Sequence, residues 1–473
     1  MNYGTISILI ERVFYSMDLF KPVDLTVGDP VRQIVRFMIP LLIGNIFQQL
    51  YNTVDSIVVG KFVGDNALAA VGSAGPVVNL LLVLFIGISV GAGIMVSQYF
   101  GARRREDLSK AIGCCITLTF LSALVMMAIA PLITMPLLRF LNTPAEVIDW
   151  CQSYLAILFI GGAGCLYYNI LGGVLRGLGD SVSALLYLVI ATTLNIVLDL
   201  YFVASLGMGV AGVALATVIA QWISAFLALL KLNRKTDCFD LAFRYLRLER
   251  KYVGELFRLG LPSGVTQMIF SLAIISTQAL TNQFGPMCIA TNVIVMRIDG
   301  FVMMPAFSFG NAMTTFSGQN TGAGRIDRVE EGAHKGTLVA VCTSTVITGL
   351  ILLFGKHLMA LFTNTEELID QSYHMMMILG VGYIAMEVTQ CLQGVMRGAG
   401  DAVTPMYLSM LTSVFIRVPL AYLMTWLTRS PENPHGEFSM MFISMLIAWL
   451  IGATLSFYFY KRGKWKTKSL ITN

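Results

Sequence analysis

Apolar runs of about twenty residues recur along the chain, separated by short polar segments. Within each run the apolar residues are continuous rather than alternating, which is typical of helices that cross a membrane. A helix satisfies its own backbone hydrogen bonds, as lipid requires. The pattern therefore predicts twelve transmembrane helices. They begin near Val31, Asn66, Leu108, Val147, Val182, Gly209, Val253, Met287, Arg328, Leu368, Val403 and Phe438.

The composition agrees with this pattern. Of the 473 residues, 56% are hydrophobic and only 12% are charged, whereas a soluble globular protein has about 25% charged residues. The eight cysteines are dispersed without a CxxC motif, and the four histidines are equally scattered, so neither a disulfide framework nor a metal site is expected. We predict an all-α, polytopic membrane protein with no soluble domain and no cofactor.

The basic residues predict the orientation. Of the 32 lysines and arginines, 26 lie in the termini and in the gaps after helices 2, 4, 6, 8 and 10, and four lie in the opposite gaps. An excess of basic residues marks the cytoplasmic side, so both termini are expected in the cytoplasm. Because these charges are spread over seven separate segments, nucleic acid is not an expected partner.

The chain repeats itself with an offset of 221–222 residues. Six helices per repeat is an even number, so both halves enter the membrane from the same side, which gives a parallel repeat and two pseudo-symmetric six-helix bundles. The matching stretches are RFMIP (36–40) with RLGLP (258–262), QYFGARRRED (98–107) with QNTGAGRIDR (319–328), and VLRGLGDSVSALLY (174–187) with VMRGAGDAVTPMYL (395–408).

The repeat also predicts the domain boundaries. We expect a cytoplasmic N-terminal segment (1–30), an amino-terminal bundle (31–232), a cytoplasmic interfacial linker (233–252), a carboxy-terminal bundle (253–462) and a basic cytoplasmic tail (463–473). The linker mixes apolar with basic residues, as interfacial segments do, although a regulatory module would have a similar composition.

Two glycine motifs have a structural and a functional interpretation. The RGxGD loops after helices 4 and 10 suit helix C-terminal caps, or a phosphate cradle. The segment GISVGAG, with Gly87, Gly91 and Gly93, suits close helix packing or a nucleotide loop. No Walker lysine motif occurs in the sequence, so helix caps and helix packing are favoured.

A polar stripe runs along the first predicted helix. Asn45, Gln48, Asn52 and Asp55 recur at spacings of three or four residues and so share one face. A carboxylate near the centre of a membrane helix costs roughly 2.5–3.5 kcal/mol on insertion scales. Such residues indicate a functional site by default.

A second polar pair lies in helix 5, where Asn195 and Asp199 are one turn apart. In the repeat, Asp55 corresponds to Thr277 and Asp199 to Leu420, so the carboxylates belong to one half only. Two neighbouring carboxylates in an apolar medium cannot both stay ionised at low cost, so the pair should take up H⁺ or Na⁺. The alternative is that both are buried groups satisfied by neighbouring amides.

The first helix, the paired loops and the twelve predicted helices together resemble the multidrug and toxic compound extrusion (MATE) family, in its DinF-like branch, over about residues 28–462. The resemblance implies a cation-coupling site at Asp55, Asn195, Asp199 and Thr217. It further implies a substrate cleft or supporting residues, and a hinge in helix 1. The resemblance implies Gln48, Tyr51, Asn169 and Glu387 for the cleft and Pro40 for the hinge, and to the cleft we add Asn52 from the polar stripe and Arg297 as a charge inside a predicted helix.

The resemblance implies a secondary transporter in the cell membrane that exports amphipathic, often cationic, organic compounds by antiport with H⁺ or Na⁺. We expect small organic substrates and lipid as its partners, no obligatory protein partner, and no metal other than a possible Na⁺. Arg297 is expected either to pair with Glu387 or to contact substrate. The rival functions are a flippase for lipid-linked sugars and, further away, an intramembrane enzyme, for which the scattered histidines offer no convergent site.

Overall fold

The computed structural model describes residues 22–140, 143–234, 237–431 and 433–471. Most of the predicted N-terminal segment (1–30) therefore lies outside the described residues. The helices are α1, Pro30–Phe62; α2, Asp65–Gly101; α3, Arg105–Phe140; α4, Ala145–Ile160 with Ala163–Gly177; α5, Ser181–Ser205; α6, Gly209–Arg234; α7, Arg250–Phe284; α8, Pro286–Gly322; α9, Ile326–Ala360; α10, Glu366–Gly398; α11, Val403–Leu427; and α12, Ser439–Arg462.

The described helices confirm the predicted all-α fold. Eleven of them are long and apolar enough to cross a membrane, and the two bent parts of α4 bring the number to twelve when they are counted as one span. Each helix begins within three residues of its predicted start. The hydrophobic runs were therefore a sufficient guide to where each helix lies.

Four helices depart from a regular α-helix. The two parts of α4 meet at 53°. A turn at Met303 interrupts α8, and π-helical turns occupy Leu200–Ser205 in α5 and Leu411–Ile416 in α11. π-Helical turns inside α-helices are frequent at functional sites, and these two lie next to Asp199, which is fully buried, and Arg417, which is half-buried.

The chain forms two compact units. Unit 1 contains the described residues up to Thr26 and Ile39–Gly264, and unit 2 contains Val27–Met38 and the described residues from Val265 onward. Each unit has its own apolar core. In unit 1, α5 packs on α6 and α2 packs on the second part of α4, whereas in unit 2 α10 packs on α8, α9 and α12. The two units are defined by packing, whereas the two predicted bundles were defined by the sequence repeat. The units therefore do not test the bundle boundaries, which stay a prediction.

Glycines bring two helices of unit 1 into backbone contact. A Cβ atom added to Gly87 would lie 2.2 Å from the backbone nitrogen of Gly264, and one added to Gly91 would lie 2.6 Å from that of Gly260. Only glycine permits so close an approach of α2 to α7. The interpretation of the GISVGAG segment as a helix-packing surface is confirmed.

The two RGxGD loops act as helix boundaries. Gly179 and Gly400 adopt positive φ angles of 82° and 102°, which favour glycine just beyond a helix C-terminus. Asp180 then caps α5 by accepting from the Ser183 N–H at 3.0 Å, and Asp401 accepts from the Thr404 N–H at 3.1 Å. The capping interpretation is confirmed, and the aspartates additionally start the next helix.

The linker between α6 and α7 is attached to α3 by polar contacts. The Arg105 guanidinium forms an ion pair with Asp240 at 2.8 Å, and its hydrogen bond lowers the pKa of the Asp240 carboxyl. The Tyr252 hydroxyl donates to Asp107 at 2.6 Å. Phe239 is fully buried, whereas Phe243 is 92% exposed. One face of the linker therefore packs on unit 1, and its other face is left free for the predicted interface.

Candidate cation site and the cavity beside it

Three helices of unit 1 contribute to one polar cluster. α1 presents Tyr51 and Asp55, which are four residues apart and so share a face. α5 presents Asn195 and Asp199 one turn apart, and both side chains are fully buried. α6 contributes Thr217, which is 8% exposed. These are the four predicted cation-coupling residues together with Tyr51.

Thr217 connects the neutral members of the cluster. Its hydroxyl lies 3.2 Å from the Tyr51 hydroxyl and accepts from the Asn195 amide nitrogen at 3.3 Å. One oxygen on α6 therefore bonds to both α1 and α5. The Asn195 amide is directed to this hydroxyl rather than to a carboxylate, and its own oxygen has no hydrogen-bond partner among the described residues.

The two carboxyl groups face each other. Asp55 and Asp199 lie close enough to interact electrostatically. Neither forms an ion pair within the described part of the chain, and Asp55 Oδ1 and both Asp199 oxygens have no donor there. The alternative that neighbouring amides satisfy these carboxylates is therefore wrong. A buried negative charge without a donor requires a proton or a cation.

The local backbone places Asp199 at an irregular point of its helix. The π-helical turn of α5 begins at Leu200, directly after Asp199. Its widened hydrogen-bonding pattern changes the direction of the following residues without ending the helix. The carboxylate is thus held at the junction between two helical segments rather than in the middle of a rigid one.

Apart from Tyr51, the predicted supporting and hinge residues of unit 1 whose side chains are described lie outside this cluster. Pro40, Gln48 and Asn169 line a cavity of about 180 Å³, to which Asn45 and Arg176 also contribute. Gln48 precedes Asp55 by seven residues, roughly 10 Å along a helix axis. The residues expected around one site therefore form two groups, a cation cluster and a polar cavity nearer the start of α1. The side chain of Asn52 lies outside the described part of the structure.

The predicted pair in unit 2 does not form. The Arg297 side chain is exposed, whereas Glu387 is only 1% exposed and its Oε1 has no partner among the described residues. Of the two expected roles of Arg297, the ion pair with Glu387 is therefore wrong, because the two side chains point to different environments, and substrate contact stays a prediction.

Unit 2 contains a different set of charged residues, whose proximity was not predicted from the sequence. The Tyr383 hydroxyl on α10 donates to Asp299 on α8, and both Asp299 and Arg417 of α11 line a second cavity. Both charges were visible in the sequence as residues inside membrane helices, but only the fold shows that they share a cavity. No cluster of three or more histidine, cysteine, aspartate or glutamate side chains occurs in the described ranges.

Comparison with known proteins assigns the chain to a family. The MatE family model matches residues 40–201 and again residues 262–423, so the two matches begin 222 residues apart, in the register of the repeat. The chain is 30% identical over 406 residues to the probable multidrug resistance protein YoeA of Bacillus subtilis, covering 84% of this chain and 88% of that protein. It is 27% identical over 454 residues to YpnP of the same organism, covering 96% and 99%.

A solved structure has the same fold. The outward-facing conformation of a multidrug resistance MATE family transporter superimposes with a TM-score of 0.86 at 25% identity, covering 94% of this chain and 98% of that one. These similarities extend over nearly the whole chain and are to transporters rather than to enzymes. The chain belongs to the MatE family of multi-span membrane transporters.

Proposed function

We propose that this protein is a secondary transporter that exports amphipathic, often cationic, organic compounds from the cell in exchange for H⁺ or Na⁺. The observation that carries the proposal is the pair formed by Asp55 and Asp199, in which Asp55 Oδ1 and both Asp199 oxygens lack a donor among the described residues. The similar proteins of Bacillus subtilis are named as probable multidrug resistance proteins, which supports drugs and toxins as the substrate class.

The cluster is suited to a small cation. It offers oxygen ligands only, from the two carboxyl groups, the Asn195 amide oxygen and the Thr217 hydroxyl. Oxygen ligands suit hard cations, and either carboxyl can instead hold a proton. Uptake of one H⁺ or one Na⁺ changes the local charge by one unit in an apolar medium, which is a large electrostatic change.

The change in local charge acts on the conformation of α1. Asp55 lies on α1, and Pro40 stands inside the same helix, where it removes one backbone hydrogen bond and weakens the helix locally. Neutralising the carboxyl pair favours a different arrangement of α1 relative to α5. A transporter needs a cation to stabilise one of two conformations in this way, because a ligand shifts an equilibrium only by its differential affinity.

The substrate class follows from charge. Among the charged residues predicted from the sequence to lie in the spans rather than in the gaps between them, the acidic residues Asp55, Asp199, Asp299 and Glu387 outnumber the basic residues Arg297 and Arg417. Acidic side chains in a medium of low dielectric constant attract cationic molecules. Methionines at the apolar surfaces, such as Met303 and Met445, suit ligands of varied shape.

Reconstituted transport tests the proposal. Proteoliposomes loaded with a cationic dye should release it when a pH gradient is imposed, or when a Na⁺ gradient is imposed at constant pH, and a matched anionic dye should be retained longer. The response to each gradient identifies the coupling ion. Equal dye release with and without both gradients would overturn the proposed antiport.

A further inference from the structure

We propose that unit 2 contains a binding site for a small aromatic zwitterion, whose ammonium group binds Asp299 and whose carboxylate binds Arg417. The inference rests on the proposed export function only for the biological role of the ligand. The binding itself follows from a cavity with two opposite charges on its wall.

The cavity has the size and lining of a ligand site. Its volume is about 260 Å³, roughly that of eight or nine water molecules in the liquid. Apolar side chains form most of its wall and polar ones are few, as in typical small-molecule sites. The apolar lining includes Phe270, Met303, Phe307, Phe442, Met445 and Trp449.

Asp299 is held in a fixed position on one wall. The Tyr383 hydroxyl donates to its Oδ1, and Tyr383 itself is 2% exposed. The Tyr383 ring packs against Trp449, with ring centroids 5.7 Å apart. The Asp299 carboxylate therefore accepts one hydrogen bond from the protein and can accept further hydrogen bonds from a ligand in the cavity.

Arg417 is the unsatisfied partner on the same cavity. Its guanidinium makes no hydrogen bond and no ion pair with the described residues, and its buried Nε atom has no partner. A guanidinium that has a buried nitrogen and no acceptor is costly. Because Asp299 and Arg417 line one cavity without forming an ion pair within 4 Å, a ligand with both charges can bridge them, whereas a ligand with one charge leaves the other side chain unpaired.

The position of Arg417 adds a second observation. It is the first residue after the π-helical turn Leu411–Ile416, and Ser413 of that turn lines the same cavity. Thr277, the counterpart of Asp55 in the repeat, lines it as well. Unit 2 therefore uses the region that corresponds to the cation cluster of unit 1, but with one acidic and one basic group in place of two acidic ones.

Binding by the purified full-length protein tests this site without transport. Calorimetric titrations would use three probes with the same ring. L-Phenylalanine carries both charges, its methyl ester carries only the positive charge, and its N-acetyl derivative carries only the negative charge. A fourth probe, 4-(aminomethyl)benzoate, holds the two charges at opposite ends of a ring. At least one zwitterion should bind about tenfold or more tightly than either singly charged analogue, as expected for one charge-assisted hydrogen bond.

Two variants test which side chain binds which charged group of the ligand. Arg417→Gln should reduce the zwitterion to the affinity of the ester, and Asp299→Asn should reduce it to that of the N-acetyl compound. The surface ion pair of Lys356 with Asp370 supplies the control, since Lys356→Gln and Asp370→Asn should leave binding unchanged. Trp449→Phe should abolish any ligand-dependent change in tryptophan fluorescence while the protein stays folded.

The outcomes separate this site from the proposed function. Equal affinity for all four probes, or no binding of either zwitterion to folded wild-type protein, would overturn the site. Loss of gradient-driven dye release with zwitterion binding intact would overturn the antiport and leave the site standing.

Discussion

The hydroxyl groups of Tyr51 and Thr217 lie 3.2 Å apart and join α1 to α6. The Asn195 amide on α5 donates to the same Thr217 oxygen at 3.3 Å. A single hydroxyl therefore holds together the three helices that carry the cation cluster. Its removal would leave a tyrosine hydroxyl and a buried amide without partners, so Thr217 is expected to position Asp55 and Asp199 as well as to offer a ligand oxygen.

Replacement of Thr217 tests this positioning role. Thr217→Val keeps the shape but orphans both partners, and each unsatisfied buried group costs about 1–3 kcal/mol. We expect a clear fall in the melting temperature of the purified protein and slower gradient-driven efflux. Thr217→Ser keeps the hydroxyl and should restore both.

A matched control exists on α3. Thr134 is 1% exposed, and its hydroxyl donates only within its own helix, to the Ala130 carbonyl at 2.7 Å. Thr134→Val should therefore lower the melting temperature much less. Equal melting temperatures for the valine variants at positions 134 and 217 would show that the link between helices contributes little.

Neutral replacements of the carboxyl pair test coupling. Asp55→Asn keeps size and hydrogen-bonding capacity but cannot ionise, and removing a buried, unpaired charge does not destabilise the fold. We expect normal membrane insertion and substrate binding, with gradient-driven efflux reduced to the level of empty vesicles. Asp199→Asn should behave in the same way, and the double variant should be little worse than either one, because the pair acts as a unit.

This expectation is open to a direct contradiction. Wild-type efflux rates in Asp55→Asn, at normal expression and under a defined gradient, would remove the carboxyl pair from the mechanism. Additive losses in the double variant would show instead that the two carboxyls act independently.

The fold was largely predictable because lipid imposes a simple rule on the sequence. A helix that crosses a membrane needs a long apolar run, so the twelve runs gave the helix starts to within three residues. The repeat was predictable because both copies keep the RGxGD loop, whose glycines Gly179 and Gly400 adopt positive φ angles. The breaks were not, because the 53° bend after Ile160 and the π-helical turns depend on packing.

The candidate site was predictable only where sequence spacing determines proximity. Asn195 shares a helix face with Asp199, so that pair followed from periodicity, whereas Tyr51 came from the family resemblance. The contact of Tyr51 and Asn195 with Thr217 also came from that resemblance. Arg297 and Glu387 lie on different helices, and no periodicity reports the distance between helices, which is why the sequence left their pairing open and the structure was needed to exclude it. The meeting of Asp299 with Tyr383 and Arg417 at one cavity needed the fold.

The charge asymmetry predicts that both termini are cytoplasmic. Single cysteines placed at Thr467 and Ser430, in a background without the native cysteines, should react with an impermeant maleimide from opposite sides. Only the cysteine at position 430 should label in intact cells, and the one at position 467 should label after permeabilisation. Labelling of both from outside would overturn the orientation. The native exposed thiols, Cys238 and Cys342, must be removed first because they would react as well.

The glycine contact between α2 and α7 predicts a sharp contrast between two alanine substitutions in one helix. At Gly91 an added Cβ would lie 2.6 Å from the Gly260 backbone nitrogen and 2.9 Å from the Leu256 carbonyl oxygen. Backbone atoms cannot turn aside as a side chain can, so Gly91→Ala must push the helices apart. Such overpacking costs typically about 1–3 kcal/mol.

At Gly72, on the same helix, an added Cβ meets nothing within 4 Å, so Gly72→Ala should gain up to about 1 kcal/mol from helix propensity. Thermal unfolding of the two purified variants, followed by size-exclusion chromatography after heating, should therefore shift in opposite directions from wild type. If Gly91→Ala matched or exceeded the melting temperature of Gly72→Ala, the close approach of α2 and α7 would be wrong.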